Sequence, residues 1–307
     1  MHFVMIFLDG FGLGDEKNNP IVAAHTPNID DLLGGHYLWG KERRIKTEQV
    51  FLTPLDASLD VAGTPQSATG QTTLWTGVNA AKSLGFHLSA HPNEKLAKII
   101  KEKSIFKQLA DQGKKVTFAN TFTREYDELV AAGNKRHSAS TLSALAGGVR
   151  LRSMDDLLQG QGVYQDMTNE ILREQDPSIP LISPYIAGQN LGRLALNYDF
   201  TLYEFFQTDV YGHKLDWLKV ITIVEQVDQF LGGFMSIVRN EDLAWLLTSD
   251  HGNLEDFSVN GHTQNPVPAL GWSNKPLVWP QWERLEDVTP GIVKMLRPHK
   301  PEKPFAS

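Results

Sequence analysis

The chain has 307 residues, enough for one large α/β domain or two smaller ones. Its formal net charge of −7 argues against general attraction to nucleic acid, and a hydrophobic share of 41% argues against disorder. The absence of cysteine excludes disulfides, thiolate metal sites and cysteine nucleophiles, so any metal must be held by His, Asp, Glu or hydroxyl oxygen.

The first element is the apolar run Phe3–Leu8, which ends at Asp9. It lacks a basic leader and a small-residue cleavage site, so it reads as a buried strand and not as a signal peptide. Gly10-Phe-Gly12-Leu-Gly14 follows it and mimics a dinucleotide loop. The sixth position of that fingerprint is Asp15 where glycine is needed, and no helix is evident from Gly14, so nicotinamide and flavin binding are set aside.

Helical patterns are expected over Thr26–Leu33, Thr69–Thr76 and Ile105–Gln112, with a strand over Lys115–Asn120. From about Ser83 to Ser183 the pattern is otherwise less legible. Two helix-like pieces, Ala139–Ala146 and Met154–Leu158, stand in a polar stretch, and residues 127–184 are assigned to a cap or insertion over the strand ends. A strand follows over Phe200–Gln207, a helix over Leu215–Val238, a strand over Leu243–Thr248 and a helix over Pro290–Leu296. No run of about 18 apolar residues is present, so no membrane span is expected and a cytoplasmic protein is the default.

Strands alternating with helices predict an α/β fold, a mostly parallel sheet covered by helices on both faces. Residues 1–85 and 185–307 form its core, together with 104–126. Ligands of such sheets bind beyond the carboxyl ends of the strands. Asp9, Asp209 and the pair Asp250 and His251 stand just past three of the expected strands, on one rim of one sheet.

Each motif has an ordinary reading beside the chemical one. In Asp209-Val-Tyr-Gly-His213 an i,i+4 pair aims a carboxylate and an imidazole at one point, although the Asp alone would serve as a helix cap. Thr248-Ser-Asp-His-Gly-Asn253 ends an apolar strand in Asp-His, where burial is costly without a partner. Gly252 and Asn253 supply the sharp turn that lets both side chains reach one ion. His262 stands in a loop stiffened by Pro266 and Pro268. Gly63-Thr-Pro-Gln-Ser-Ala-Thr-Gly70 runs into a helix N-terminus, whose free N–H groups and positive dipole end favour a phosphate. On chemistry alone Thr64, Ser67 and Thr69 are all candidate nucleophiles there, and a plain Ser or Thr cap is the common alternative.

These motifs together resemble the alkaline phosphatase superfamily, most closely the branch of cofactor-independent phosphoglycerate mutase and phosphopentomutase. The likeness rests on Leu8-Asp-Gly10, Thr26-Pro-Asn-Ile-Asp30, Ser67-Ala-Thr-Gly70, Asp209-x-x-Gly-His213, Asp250-His-Gly-Asn253 and His262-Thr-x-Asn-Pro-Val-Pro268. It covers roughly the first 80 residues and residues 195–270. The resemblance implies an alkaline-phosphatase-like fold and two divalent metal ions about 4 Å apart, Mn²⁺ favoured and Zn²⁺ possible. It implies one ion held by Asp9, Asp250 and His251 with Ser67 as its reactive ligand, and the other by Asp209, His213 and His262. Ser67 is singled out because Gly70 follows at the family's offset and Thr76-Gly77 closes the same helix.

The middle segment is much shorter than in the mutases and lacks their cluster of arginines, which favours hydrolysis. The expected function is therefore a phosphomonoesterase working through a phosphoserine on a small phosphorylated substrate. The alternatives are a phosphomutase, a phosphodiesterase and a non-catalytic metal-binding protein. A sulfatase is set aside because Ser67-Ala-Thr-Gly-Gln71 lacks the arginine of that signature. Arg124, Asn79 and Arg152 are further candidates for substrate contact, and Arg136, His137 and Arg150 for lining a cap. Neither a nucleic-acid nor a membrane partner is expected, and the oligomeric state is open.

Overall fold

Strand β1, His2–Leu8, is apolar at nearly every position because both of its faces are covered. Phe3, Met5 and Phe7 enter one hydrophobic core, and Val4, Ile6 and Leu8 enter the other. In the computed structural model, which describes residues 1–297, β1 lies inside a seven-stranded sheet. The other strands are β2 (Ile45–Lys46), β3 (Val50–Leu55), β4 (Val116–Phe118), β5 (Phe200–Phe205), β6 (Leu243–Thr248) and β7 (Val267–Ser273). Their order is β2-β3-β7-β6-β1-β5-β4.

The four strands expected from the sequence form the parallel half, β6-β1-β5-β4. The sheet is mixed, because β7, β3 and β2 add an antiparallel flank that the sequence did not announce. Prolines hid that flank. Pro54 of β3 and Pro268 of β7 face each other in register. Their missing N–H groups do no harm there. The pairing of β2 with β3 reaches only Leu52 on β3, and that of β6 with β7 begins at Ala269 on β7, so neither proline removes a ladder donor.

Helices cover both faces. Ser67–Thr76 packs on the side of Phe7, where Phe7 and Trp75 meet edge to face at 5.0 Å. Pro184–Ala195 and Trp217–Val238 cover the other side. These two cross so closely that their backbones touch. A Cβ on Gly188 would overlap the Phe230 carbonyl, and one on Gly233 would overlap that of Tyr185. Within the stretch 127–184, the helix Ala139–Ala146 sends Ala139 and Ala144 into the core that holds Phe106 and Phe118. Farther along, Leu157, Tyr164, Leu172 and Ile179 make a small core of their own. Among the described residues no helix is long and apolar enough to cross a membrane.

Candidate active site

The three central strands β6, β1 and β5 are adjacent, and their carboxyl ends deliver the acidic motifs to one place. Asp9 follows β1. Asp250 and His251 follow β6. The helix Gln207–Lys214 follows β5 and carries Asp209 and His213 one turn apart. His262 arrives from the loop before β7, held by its Nδ1 at 2.8 Å from the Pro65 carbonyl. Gly10 lets these segments close up. It has φ +68°, and a Cβ there would lie 2.7 Å from Asp209 Oδ1.

The side chains expected to act together do converge. His251 Nε2 lies 3.3 Å from Asp9 Oδ1, 3.5 Å from Asp250 Oδ2 and 3.0 Å from Ser67 Oγ. Asp209 lies 3.3 Å from His213 Nε2 and 3.5 Å from His262 Nε2, and the two imidazole nitrogens are 3.1 Å apart. The two groups meet at His251, whose ring stacks on His262 at 3.7 Å. One difference from the expected partition follows. Asp209, His251 and His262 bring ligand atoms within 4.8 Å of one another, so His251 reaches both groups.

The donor set suits a hard or borderline cation. Asp250 is fully buried, and neither of its carboxylate oxygens has a hydrogen-bond donor. Asp9 Oδ1 and Asn253 Oδ1 are buried without one as well. Several buried acceptors without donors are very costly unless a cation satisfies them. The charges respond accordingly. Burial, then Asp250 and Asp209, push Asp9 well above the usual carboxylate range. Burial and Asp209 push Asp250 up to about 7. Burial and the nearby His262 bring His251 down to about 3, which leaves a neutral imidazole with a lone pair to give. Asp209 is pushed up by burial, but the hydrogen bond and charge of His262, with the Asn253 hydrogen bond, outweigh that and hold it at about 2.

Ser67 is the first residue of its helix, after Gln66 as N-cap, and its hydroxyl makes no capping hydrogen bond. It turns instead towards His251 and the cavity in front of the site. Of the other two hydroxyl candidates, Thr69 donates to the Gln66 carbonyl, and neither Thr69 nor Thr64 lines that cavity.

Three candidates for substrate contact stand elsewhere. Arg124 is exposed and paired with Glu128 one turn along its own helix. Asn79 caps a short helix and binds the Leu59 carbonyl and Glu286. Arg152 is buried behind the rim, bonded to Thr117, Tyr198 and the Gln161 carbonyl, where it ties segments together. Arg150 pairs with Asp156 on the surface, and His137 bonds the Tyr126 hydroxyl. Of the arginines named for a cap, Arg136 does line the cavity.

Other residues went unnoticed in the sequence. Gln71 donates to Asp9 Oδ2 at 3.0 Å. Glu255 is fully buried and accepts from the backbone of Gly12 and Asn253, from Asn265 and from Thr263. It thereby joins the loops after β1, after β6 and before β7. Its signal was an acid four residues past the Asp-His pair, and surface acids are too common for that to stand out. Glu255→Ala is expected to weaken divalent-metal affinity by about 10- to 100-fold, because the residues that orient ligands are worth that much. Metal titration of the stripped variant by calorimetry checks this, and unchanged affinity would refute it. Glu204 went unnoticed too. It is a buried acid on β5 that burial raises to about 7 against the hydrogen bond of Ser140.

Comparison with known proteins agrees with this geometry. Residues 188–299 match the family model described as the Metalloenzyme superfamily. A 2,3-bisphosphoglycerate-independent phosphoglycerate mutase from Rhodopseudomonas palustris is 33% identical over 134 residues, which is 39% of this chain and 26% of that protein. The aligned part thus spans about a quarter of that relative's length. Among solved structures, the PH0037 protein from Pyrococcus horikoshii aligns with a TM-score of 0.60 at 16% identity, over 97% of this chain and 98% of that one. The alkaline phosphatase of the Antarctic bacterium TAB5 aligns with a TM-score of 0.57 at 12% identity, again over 97% and 98%. The family match and the shared fold agree with the resemblance of the motif blocks to the alkaline phosphatase superfamily of metalloenzymes.

Proposed function

We propose that the protein is a phosphoryl-transfer enzyme that hydrolyses a small phosphomonoester through a phosphoserine on Ser67. The observation that carries this reading is the position of Ser67 Oγ. It sits at a helix N-terminus, free of capping duty, 3.0 Å from His251 and open to a cavity of about 550 Å³.

Asp9, Asp250 and His251 would hold one divalent ion, and Asp209, His213 and His262 a second, Mn²⁺ ahead of Zn²⁺. Bound there, the ions would neutralise charge on the phosphoryl oxygens and favour the alkoxide of the serine. The chain's own groups do the rest. The first turn of the helix Ser67–Thr76 presents backbone N–H groups and its positive dipole end to the phosphoryl group. Ser67 Oγ gives up its proton and bonds to phosphorus as the ester P–O bond breaks. The leaving oxygen takes a proton. Water then attacks the phosphoserine, which releases phosphate and restores the hydroxyl. Gln71 steadies Asp9 throughout.

Residues 127–184 act in this reading as a cap. Lys135, Arg136, Ser138, Tyr164 and Gln165 line the cavity facing Ser67, which supports that role. The likeness to phosphoglycerate mutases supports a second reading, transfer within one substrate. A mutase must hold its dephosphorylated intermediate while it reorients and must keep water out. The two cap cations here are both exposed, which favours hydrolysis. With ³²P-labelled phosphoglycerate and pentose phosphate, free phosphate is expected to form faster than the isomer. Efficient isomerisation with negligible free phosphate would establish the mutase reading in its place.

A further inference from the structure

The cavity beyond Ser67 contains a feature that phosphoryl transfer does not explain. Strand β5 runs Phe200, Leu202, Glu204 along one face, and the first two are core residues. The third position holds an acid that is 7% exposed. Ser140 donates to Glu204 Oε2, and Asn120 fixes its backbone at both N–H and carbonyl. Among the described residues no protein donor reaches Oε1, and the side chain lines the cavity. A carboxyl group is expensive to bury in such a place, and Glu204 lines the same cavity as Ser67.

Around it the walls are aromatic. Phe118, Phe122 and Tyr126 run ring to ring, with centroids 6.0 and 4.8 Å apart, and Tyr164 and Phe206 also line the space. At the exposed mouth stand Lys135 and Arg136. The flanking Arg124 and Arg150 are paired with Glu128 and Asp156, but Lys135 and Arg136 form no salt bridge among the described residues. Lys135 Nζ instead lies 5.1 Å from the Tyr126 ring centre.

We infer that this end of the cavity is a leaving-group subsite for the planar ring of a nucleoside phosphate, with Glu204 as the residue that reads its hydrogen-bond donors. The inference rests on the phosphomonoesterase reading of Ser67. Three chemistries are separated by the lining. A small carboxylate or second phosphate would suit Lys135 and Arg136, but it would leave the aromatic walls unused and crowd the acid. A quaternary ammonium would suit the rings and the acid, but it would meet two cations. A neutral heterocycle suits all three. It stacks on the rings, donates N–H or O–H to Glu204 Oε1, and offers acceptors to Lys135 and Arg136. The volume of about 550 Å³ lies in the range of small-molecule sites.

The test uses the full chain loaded with Mn²⁺ and three probes: adenosine 5′-monophosphate, glycerol 1-phosphate and unphosphorylated adenosine. Adenosine is expected to bind by calorimetry and to inhibit competitively. The kcat/KM for adenosine 5′-monophosphate should exceed that for glycerol 1-phosphate at least tenfold. Glu204→Gln keeps the shape of the side chain but alters its donors and acceptors, and Phe122→Ala removes a wall. Each should cut that ratio by about tenfold and weaken adenosine binding by a similar factor, with thermal melts confirming that each folds. If Glu204→Gln does not fold, Phe122→Ala carries the test. Hydrolysis of both esters without discrimination, or no adenosine binding, would overturn the subsite and leave the phosphomonoesterase reading standing. Adenosine binding that depends on Glu204, with neither ester hydrolysed, would support the subsite and reject that reading.

Discussion

Ser67→Ala is expected to reduce turnover by on the order of 10³-fold or more, with fold and metal content retained. The hydroxyl has one side-chain partner, His251, and caps nothing, so its loss leaves the helix Ser67–Thr76 intact. What it removes is the atom that, in the proposed mechanism, receives the phosphoryl group. Acid-quenched protein incubated with ³²P-labelled substrate should carry label in the wild type and none in the variant. Undiminished activity in a clean variant preparation would reject Ser67 and reopen Thr64 and Thr69.

Chelation is expected to have the second large effect. Dialysis against EDTA should abolish activity, and a divalent ion should restore it. The more telling measurement is the melting temperature against pH. Asp9 and Asp250 have folded pKa values above their unfolded ones, so the stability they favour is present below about pH 4. It is lost as pH rises, through about 7 for Asp250. Glu204 behaves in the same way between about 4.5 and 7. His251, lowered to about 3, works in the opposite sense, adding stability as pH rises from about 3 to 6.5. Above 6.5 that compensation is complete, and His262, whose folded value is raised, also begins to lose stability. Three acids losing stability outweigh one histidine gaining it, so the stripped protein should weaken from about pH 4.5 upwards. Metal binding needs ionised carboxylates and neutral imidazoles, so it strengthens over the same interval. The gap between loaded and stripped melting temperatures should widen from pH 5.5 to pH 8. A gap that is absent or independent of pH would refute a metal centre built from these residues.

The parallel half of the fold was legible because its strands state their environment in full. Phe3–Leu8 is apolar at every position and Leu243–Thr248 at all but its last, and each then turns acidic within two residues, a junction that marks the rim of the sheet. The antiparallel flank was not legible. Val50–Leu55 and Val267–Ser273 contain Pro54, Pro268 and Gly271, residues that speak against a strand unless the neighbours are known. The candidate ligands could be read because each sits beside a turn or a strand end, and the fold brings them together. Arg124, Asn79 and Arg152 misled because a charge or an amide near the rim says nothing about which way it points. Glu204 could have been found. A lone acid within Phe200-Thr-Leu-Tyr-Glu-Phe205 breaks a core pattern, and such a break needs a reason.

The placement of β1 has a consequence for how the chain is made. Among the described residues β1 pairs with β5 and β6 alone, as in Phe3 with Phe200 and His2 with Leu243. It leaves the ribosome before either neighbour exists. At roughly 5–20 residues per second, synthesis of its first partner lags by about 10–40 seconds. Through that interval an apolar strand with two unpaired edges must be kept from other nascent chains. The proposed metal site would close later still, since Asp9 waits for Asp250 and His262. Maturation should therefore be slow, post-translational and sensitive to chaperone supply, whereas truncation before β6 should yield aggregates and no partly active fragment.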